Sequence, residues 1–158
     1  MATGDELREV MRGYPHGVAV LTVDDDGQRM GVTIGSLVSL SLDPPLVGVS
    51  IGKQASSYEL LRGAGEFALS LLREEQDALA RRFASGLPPL VHWQGVDTSP
   101  ASHVGAPLIA GALGWLECRT WATYDVGDHT LFVGEVLAAE RDPAARPLVY
   151  IHGEYRSL

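Results

Sequence analysis

The chain predicts a mainly β fold: an antiparallel barrel with helices at its periphery. Three observations carry that prediction. Apolar segments of strand length recur from residue 18 onward, and Gly, Pro and Asp turn signals separate them. Helical periodicity is confined to short segments that do not alternate with strands in the βαβ rhythm of a parallel sheet. A length of 158 residues suits one sizeable core, so residues 1–158 are expected to form a single domain without linker or internal repeat.

Residues 6–13, ELREVMRG, read as a short amphipathic helix that Gly13 and Pro15 bring to an end. VAVLTV at 18–23 and a strand over 29–34 flank DDDGQ, where Asp26-Gly27 predicts a hairpin turn because both residues tolerate positive φ. The aspartates there lack the alternating ligands and closing glutamate of a calcium loop, so the turn is the reading we adopt. LVSLSL at 37–42 alternates like a half-buried strand with Ser39 and Ser41 on one face; Pro44 and Pro45 close it, and 46–51 forms the next strand. After the turn GKQA, Ser56 and Glu59 predict a capping box that starts a helix over SSYELL. FALSLL at 67–72 reads as a strand, and 73–84 as an amphipathic helix with Leu79 and Phe83 on its apolar side. Residues 85–108, rich in Gly, Pro and Ser, read as a long irregular segment. Strands near 113–124, 130–140 and 148–152 complete the chain.

Charge and composition exclude several functions. With a net charge of -8 and Lys53 as the sole lysine, the chain has no broad basic face for a nucleic-acid backbone. The N-terminus carries acids where a signal peptide needs a basic start, and no apolar run is long enough to span a membrane, so a soluble, cytoplasmic protein is expected. Cys118 is the only cysteine and lies in a strand pattern, which predicts a packed thiol and no disulfide. His16, His92, His103 and His152 lack ligand spacing, so no metal is expected. The G-x-S-x-G, HExxH, P-loop and G-x-G-x-x-G patterns are all absent, which leaves hydrolase, zinc-protease, NTPase and Rossmann readings without their mechanical parts.

Two segments carry chemistry. Residues 31–57, GVTIGSLVSLSLDPPLVGVSIGKQASS, concentrate hydroxyls, bare backbone and the only lysine; Lys53, Ser56 and Ser57 suit a phosphate by charge, by hydroxyl donors and by the amides that open a helix. Residues 127–136 read GDHTLFVGEV. Together these resemble the short-chain flavin reductase family, the reductase components of two-component flavin-dependent monooxygenases. The resemblance extends from PHGVAVLT to the C-terminal YIHGEYRSL. It implies a six-stranded antiparallel split β-barrel with Greek-key topology, the FMN-binding split barrel, working as a homodimer. It also implies hydride transfer from NADH or NADPH to FMN or FAD, and release of reduced flavin to a separate monooxygenase. Two alternatives stay open: a split-barrel flavoprotein that retains its flavin and reduces a bound substrate, and a non-catalytic flavin-binding module.

By the same resemblance, Thr33, Ile34, Gly35 and Ser36 line the isoalloxazine ring and ribityl chain. Val38 and the backbone of Ser50, Ile51 and Gly52 come from the paired strands, and Lys53, Ser56 and Ser57 take the phosphate. Many family members carry a small hydroxyl residue or asparagine where this chain has Ile34-Gly35, and glycine lets the backbone approach the ring closely. Arg82 and Phe83 fall at a helix end that reaches the flavin. His129 falls where the nicotinamide docks, with a role in positioning the carboxamide or excluding water. Gly153 and Tyr155 become candidates for nicotinamide contacts across the dimer, and Arg156 for the dinucleotide phosphates. Each residue has a plainer reading beside this one: Ser56 as a helix cap, Phe83 as core, His129 and Arg156 as solvated surface.

Overall fold

The computed structural model describes residues 1–158. Helix α1 (Gly4–Arg12) opens on a capping box, Thr3 with Glu6, and buries none of its residues. Short strand β1 (His16–Gly17) leads into β2 (Ala19–Asp25), which turns through Asp26 (φ 52°) and Gly27 (φ 84°) into β3 (Gln28–Ile34), the hairpin expected from the sequence. Then come β4 (Val38–Leu42), β5 (Pro45–Gly52), α2 (Tyr58–Ala64) and β6 (Glu66–Leu71). A single 3₁₀ turn (Glu74–Gln76) runs into α3 (Asp77–Phe83).

The expected irregular segment contains a short helix α4 (Pro89–Trp93) and a small ladder of β7 (Thr98–Ser99) with β8 (Leu108–Ile109). The long hairpin β9 (Gly114–Val126) and β10 (His129–Arg141) follows, then β11 (Leu148–Ile151) and β12 (Glu154–Ser157). The last strand was not expected; His152 (φ 52°) and Gly153 (φ 75°) form its turn, and a histidine at positive φ is a weak local signal.

One sheet dominates, in the order β3-β2-β6-β9-β10-β5-β4, with every neighbouring pair antiparallel. That is seven strands, one more than the resemblance implies. The edge strands β3 and β4 are joined by residues 35–37 alone. A flat sheet would hold its edges about 29 Å apart, whereas that connection reaches about 14 Å at most. The sheet must therefore curl into an open barrel whose seam is residues 35–37.

Strand β2 is buried continuously from Ala19 to Val23 because both of its faces are covered there. Ala19, Leu21 and Val23 join Val49, Ile51, Phe67 and Phe132 in one core, into which α2 drops Tyr58 and Leu61. Val18 and Val20 join Leu72, Ala80, Phe83 and Leu148 on the other side, beneath α3. Strand β4 departs from its expected half-burial: Val38, Leu40 and Leu42 are exposed and Ser41 is the partly covered residue. It is a sheet edge with no layer over it, and a register shift between Ser39 and Ser41 breaks the simple alternation.

Candidate flavin site at the barrel seam

The seam is clipped by one hydroxyl. Ser36 Oγ donates to the Ser50 carbonyl and accepts from the Ser50 amide, both at 3.0 Å, tying the β3–β4 connection to β5. Thr33 Oγ1 donates to the Ala80 carbonyl at 2.6 Å, and Ile34 and Ile51 point into the core. The side chains of Thr33, Ile34 and Ser36 are thus committed to the fold, and these residues offer a ligand mainly backbone. Thr33, Ile34 and Gly35 border a 170 Å³ cavity with His16, Tyr150 and Tyr155. Val38 lies exposed just beyond the seam.

The two sequence motifs meet across β5 and β10. His129 pairs with Gly52, the Lys53 amide donates to the Asp128 carbonyl at 3.0 Å, and Lys53 Nζ donates to the Gly127 carbonyl at 3.0 Å. Lys53 Nζ also lies 3.7 Å from Asp125. The Asp128 carboxyl pKa is lowered from its ordinary value: the hydrogen bond from His129 contributes most, their charge attraction adds to it, and Lys53 contributes less. That carboxylate takes His129 Nδ1 at 2.7 Å, which leaves Nε2 without a partner in the chain. Next to Lys53, Tyr58 hydroxyl bonds Thr130 Oγ1 at 2.8 Å and Thr130 bonds Asp125 at 3.1 Å, along one wall of a 610 Å³ pocket that also includes Arg62.

The capping box expected at Ser56 and Glu59 does not form. Helix α2 begins at Tyr58, and its N-cap Ser57 has helical φ/ψ (-83°, -8°) rather than the extended conformation from which a cap side chain reaches back. Ser57 is 2% exposed and its Oγ has no hydrogen-bond partner. Neither the Ser56 nor the Ser57 amide has an acceptor within the chain. A buried hydroxyl and two amides left open beside the only lysine fit the oxygens of a phosphate. The donor set therefore suits a flavin nucleotide.

Other expected site residues are engaged elsewhere. Phe83 is 2% exposed, meets Trp93 and His92 edge-on with ring centroids 5.0 and 5.6 Å away, and fills the space that a side chain at Gly31 would need. It is a core residue because α3 lies over β3, and a helix-end position in the sequence carries no information about that packing. Arg82 donates to the Gln94 carbonyl, and Arg156 pairs with Glu154. Tyr155 packs on Tyr150 (5.1 Å between centroids) under the Arg81 guanidinium, and its phenol pKa is raised, chiefly by burial. Gly153 sits at the exposed tip of the β11–β12 turn. Cys118 is fully buried as expected, and burial, with the Glu117 charge second, pushes its thiol up to about 12. No cluster of His, Cys, Asp or Glu is placed to hold a metal. His16 and Tyr150, which the sequence does not mark as candidates, border the cavity beside Gly35 because β1 pairs with β11.

The class defined by this barrel and seam agrees with comparison to known proteins. The model of the flavin reductase like domain family matches residues 11–158, and the chain belongs to that family. An NADH-dependent FAD reductase of Streptomyces globisporus is 41% identical over 153 residues, covering 96% of this chain and 84% of the relative. An NADH-dependent FMN reductase of Streptomyces nodosus subsp. asukaensis is 41% identical over 157 residues, covering 97% and 84%. The solved NADH:FAD oxidoreductase of Streptomyces globisporus C-1027 matches with a TM-score of 0.94 at 39% identity, covering 100% of this chain and 96% of that one. The same oxidoreductase has been solved with NAD and FAD fragments, at a TM-score of 0.92, 39% identity and coverage of 98% and 92%. The flavin reductase component of a bacterial two-component tryptophan halogenase gives 0.92 at 36% identity, covering 99% and 98%. The open barrel is the split barrel of these flavin reductases.

Proposed function

We propose that this protein is an NAD(P)H:flavin oxidoreductase of one domain that reduces FMN or FAD and passes the reduced flavin to a separate monooxygenase. The observation that carries this reading is the meeting of the two motifs across β5 and β10, which puts His129 beside Gly52 and Lys53. Ser57 Oγ, the open Ser56 and Ser57 amides and Lys53 hold the phosphate, while the backbone of Gly35–Ser36 and Ser50–Gly52 supports the ring system. When bound, the flavin supplies the hydride acceptor; the chain aligns the two cofactors and needs no acid or base at the moment of transfer. His129, fixed through Nδ1 by Asp128, presents Nε2 to the nicotinamide carboxamide.

NADH is the donor we favour, since the relatives named above use it. A monooxygenase partner is supported by the reductase components among the relatives, including a flavin-dependent monooxygenase reductase subunit of Mycobacterium tuberculosis. A homodimer is supported by apolar surface left open on β4 (Val38, Leu40, Leu42) and on α1 (Leu7, Val10, Met11) with Tyr14 just beyond it. Gly153 and Tyr155 would then reach the nicotinamide of one or the other protomer. No helix is long and apolar enough to cross a membrane.

The test is to follow nicotinamide absorbance with NADH, and separately NADPH, with and without added FMN. Turnover that requires free FMN is the expected result and identifies the donor. Binding of FMN with no nicotinamide oxidation overturns the reductase reading.

A further inference from the structure

We propose that His16 is a flavin-positioning residue, whose imidazole occupies the place of the side chain that Gly35 lacks and presents Nε2 to the isoalloxazine ring. The inference rests on the flavin reading above. A Cβ built on Gly35 would overlap the His16 imidazole, and its three nearest neighbours are all atoms of that ring. Gly35 does not occupy the positive-φ region, so its backbone would accept a side chain. The imidazole excludes one.

The ring is held in place from two sides. Nδ1 lies 2.9 Å from the Gly17 carbonyl oxygen, and the ring leans on Tyr150 with centroids 5.3 Å apart, a contact set by the His16–Tyr150 register of β1 and β11. A carbonyl oxygen only accepts, so Nδ1 carries the proton in that bond, and Nε2 of the neutral ring is an acceptor with no partner in the chain. The hydroxyls of Thr33 and Ser36 are already spent on Ala80 and Ser50. Nε2 is therefore an uncommitted acceptor beside residues 33–35, and His16 borders both the 170 Å³ cavity there and an adjoining apolar cavity of 120 Å³.

The oxidised isoalloxazine ring has one N–H, at N3, and a fixed acceptor at Nε2 is its complement. One neutral hydrogen bond contributes about 0.5–1.5 kcal/mol, or roughly a 3- to 10-fold change in affinity.

The test compares dissociation constants of FMN and N3-methyl-FMN. Wild-type protein should bind the methylated flavin at least ~5-fold more weakly. His16→Ala should weaken FMN by about 3- to 10-fold and reduce the discrimination to within ~2-fold. His16→Gln, which keeps an acceptor near the Nε2 position, should restore part of it. Thermal melting supplies a second arm: Gly35→Ala should lower the midpoint, and adding His16→Ala should recover it. Equal discrimination in wild type and His16→Ala overturns the proposal, as does a Gly35→Ala protein that melts like wild type. If wild-type protein binds FMN without regard to N3 methylation, the role of His16 falls and the flavin reading stands; if it binds no FMN, the flavin reading itself falls.

Discussion

Replacing Ser57 with alanine should move stability and flavin affinity in opposite directions. In the ligand-free chain Ser57 Oγ is buried without a partner, and such an orphan hydroxyl costs about 1–3 kcal/mol of desolvation. Ser57→Ala removes that cost and leaves only a small void, so the ligand-free protein should gain roughly 1–2 kcal/mol. For a chain of this size each kcal/mol raises the melting midpoint by about 2–4 °C, which predicts a gain of about 2–8 °C. The same hydroxyl bonded to a phosphate oxygen makes a charge-assisted hydrogen bond of about 1.5–3 kcal/mol. Its loss should weaken FMN by roughly 10- to 150-fold and leave riboflavin, which has no phosphate, nearly unchanged. Differential scanning fluorimetry of flavin-free protein, with fluorescence titrations of both flavins, reads all three quantities. A lower midpoint for the variant, or equal losses for FMN and riboflavin, would refute the assignment of Ser57 to the phosphate.

The other predictions concern the meeting point of the motifs and the core. His129→Ala should raise the KM for the nicotinamide or lower kcat, by about 10-fold, while the FMN dissociation constant stays within ~2-fold; steady-state kinetics with unchanged constants would remove His129 from the site. Lys53→Ala should weaken FMN more than riboflavin in the same titrations, by only roughly 3- to 10-fold because partial exposure screens its charge. Phe83→Ala should cost about 3–5 kcal/mol in urea unfolding, and unchanged stability would refute its assignment to the core. The folded Cys118 thiol keeps its proton up to about 12, whereas the unfolded thiol loses it near ~8.5. Between those values the native state binds more protons, so stability should fall as pH rises through that window. At pH 8, a thiol reagent should label Cys118 only after denaturation.

Local physics made much of the fold readable in advance. Asp26-Gly27 marked its hairpin because a tight turn needs positive φ at both residues, and that requirement lies within the residues themselves. Strand alternation and the amphipathic pattern of 73–84 are likewise properties of neighbours in the chain. The same logic misled at Ser56, where a capping spacing existed but the chain entered the helix one residue later, in helical φ/ψ. It misled at β4, where alternation identified a strand and said nothing of whether any layer would cover it.

The two segments expected to carry chemistry, 31–57 with the single lysine and GDHTLFVGEV, are neighbours in the fold, joined by the pairing of β5 with β10. What each side chain does there was decided by contacts between distant segments. Ser36 clips Ser50, Thr33 serves Ala80, Phe83 is enclosed by Trp93 and His92, and His16 takes the space of a side chain at Gly35. A hydroxyl bonds whichever group folding brings within reach, and a ring is buried by whatever element lands on it. The sequence by itself therefore determined the strands, the turns and the kind of ligand the chain is equipped to hold. Only the tertiary structure decided which groups remain free to hold it.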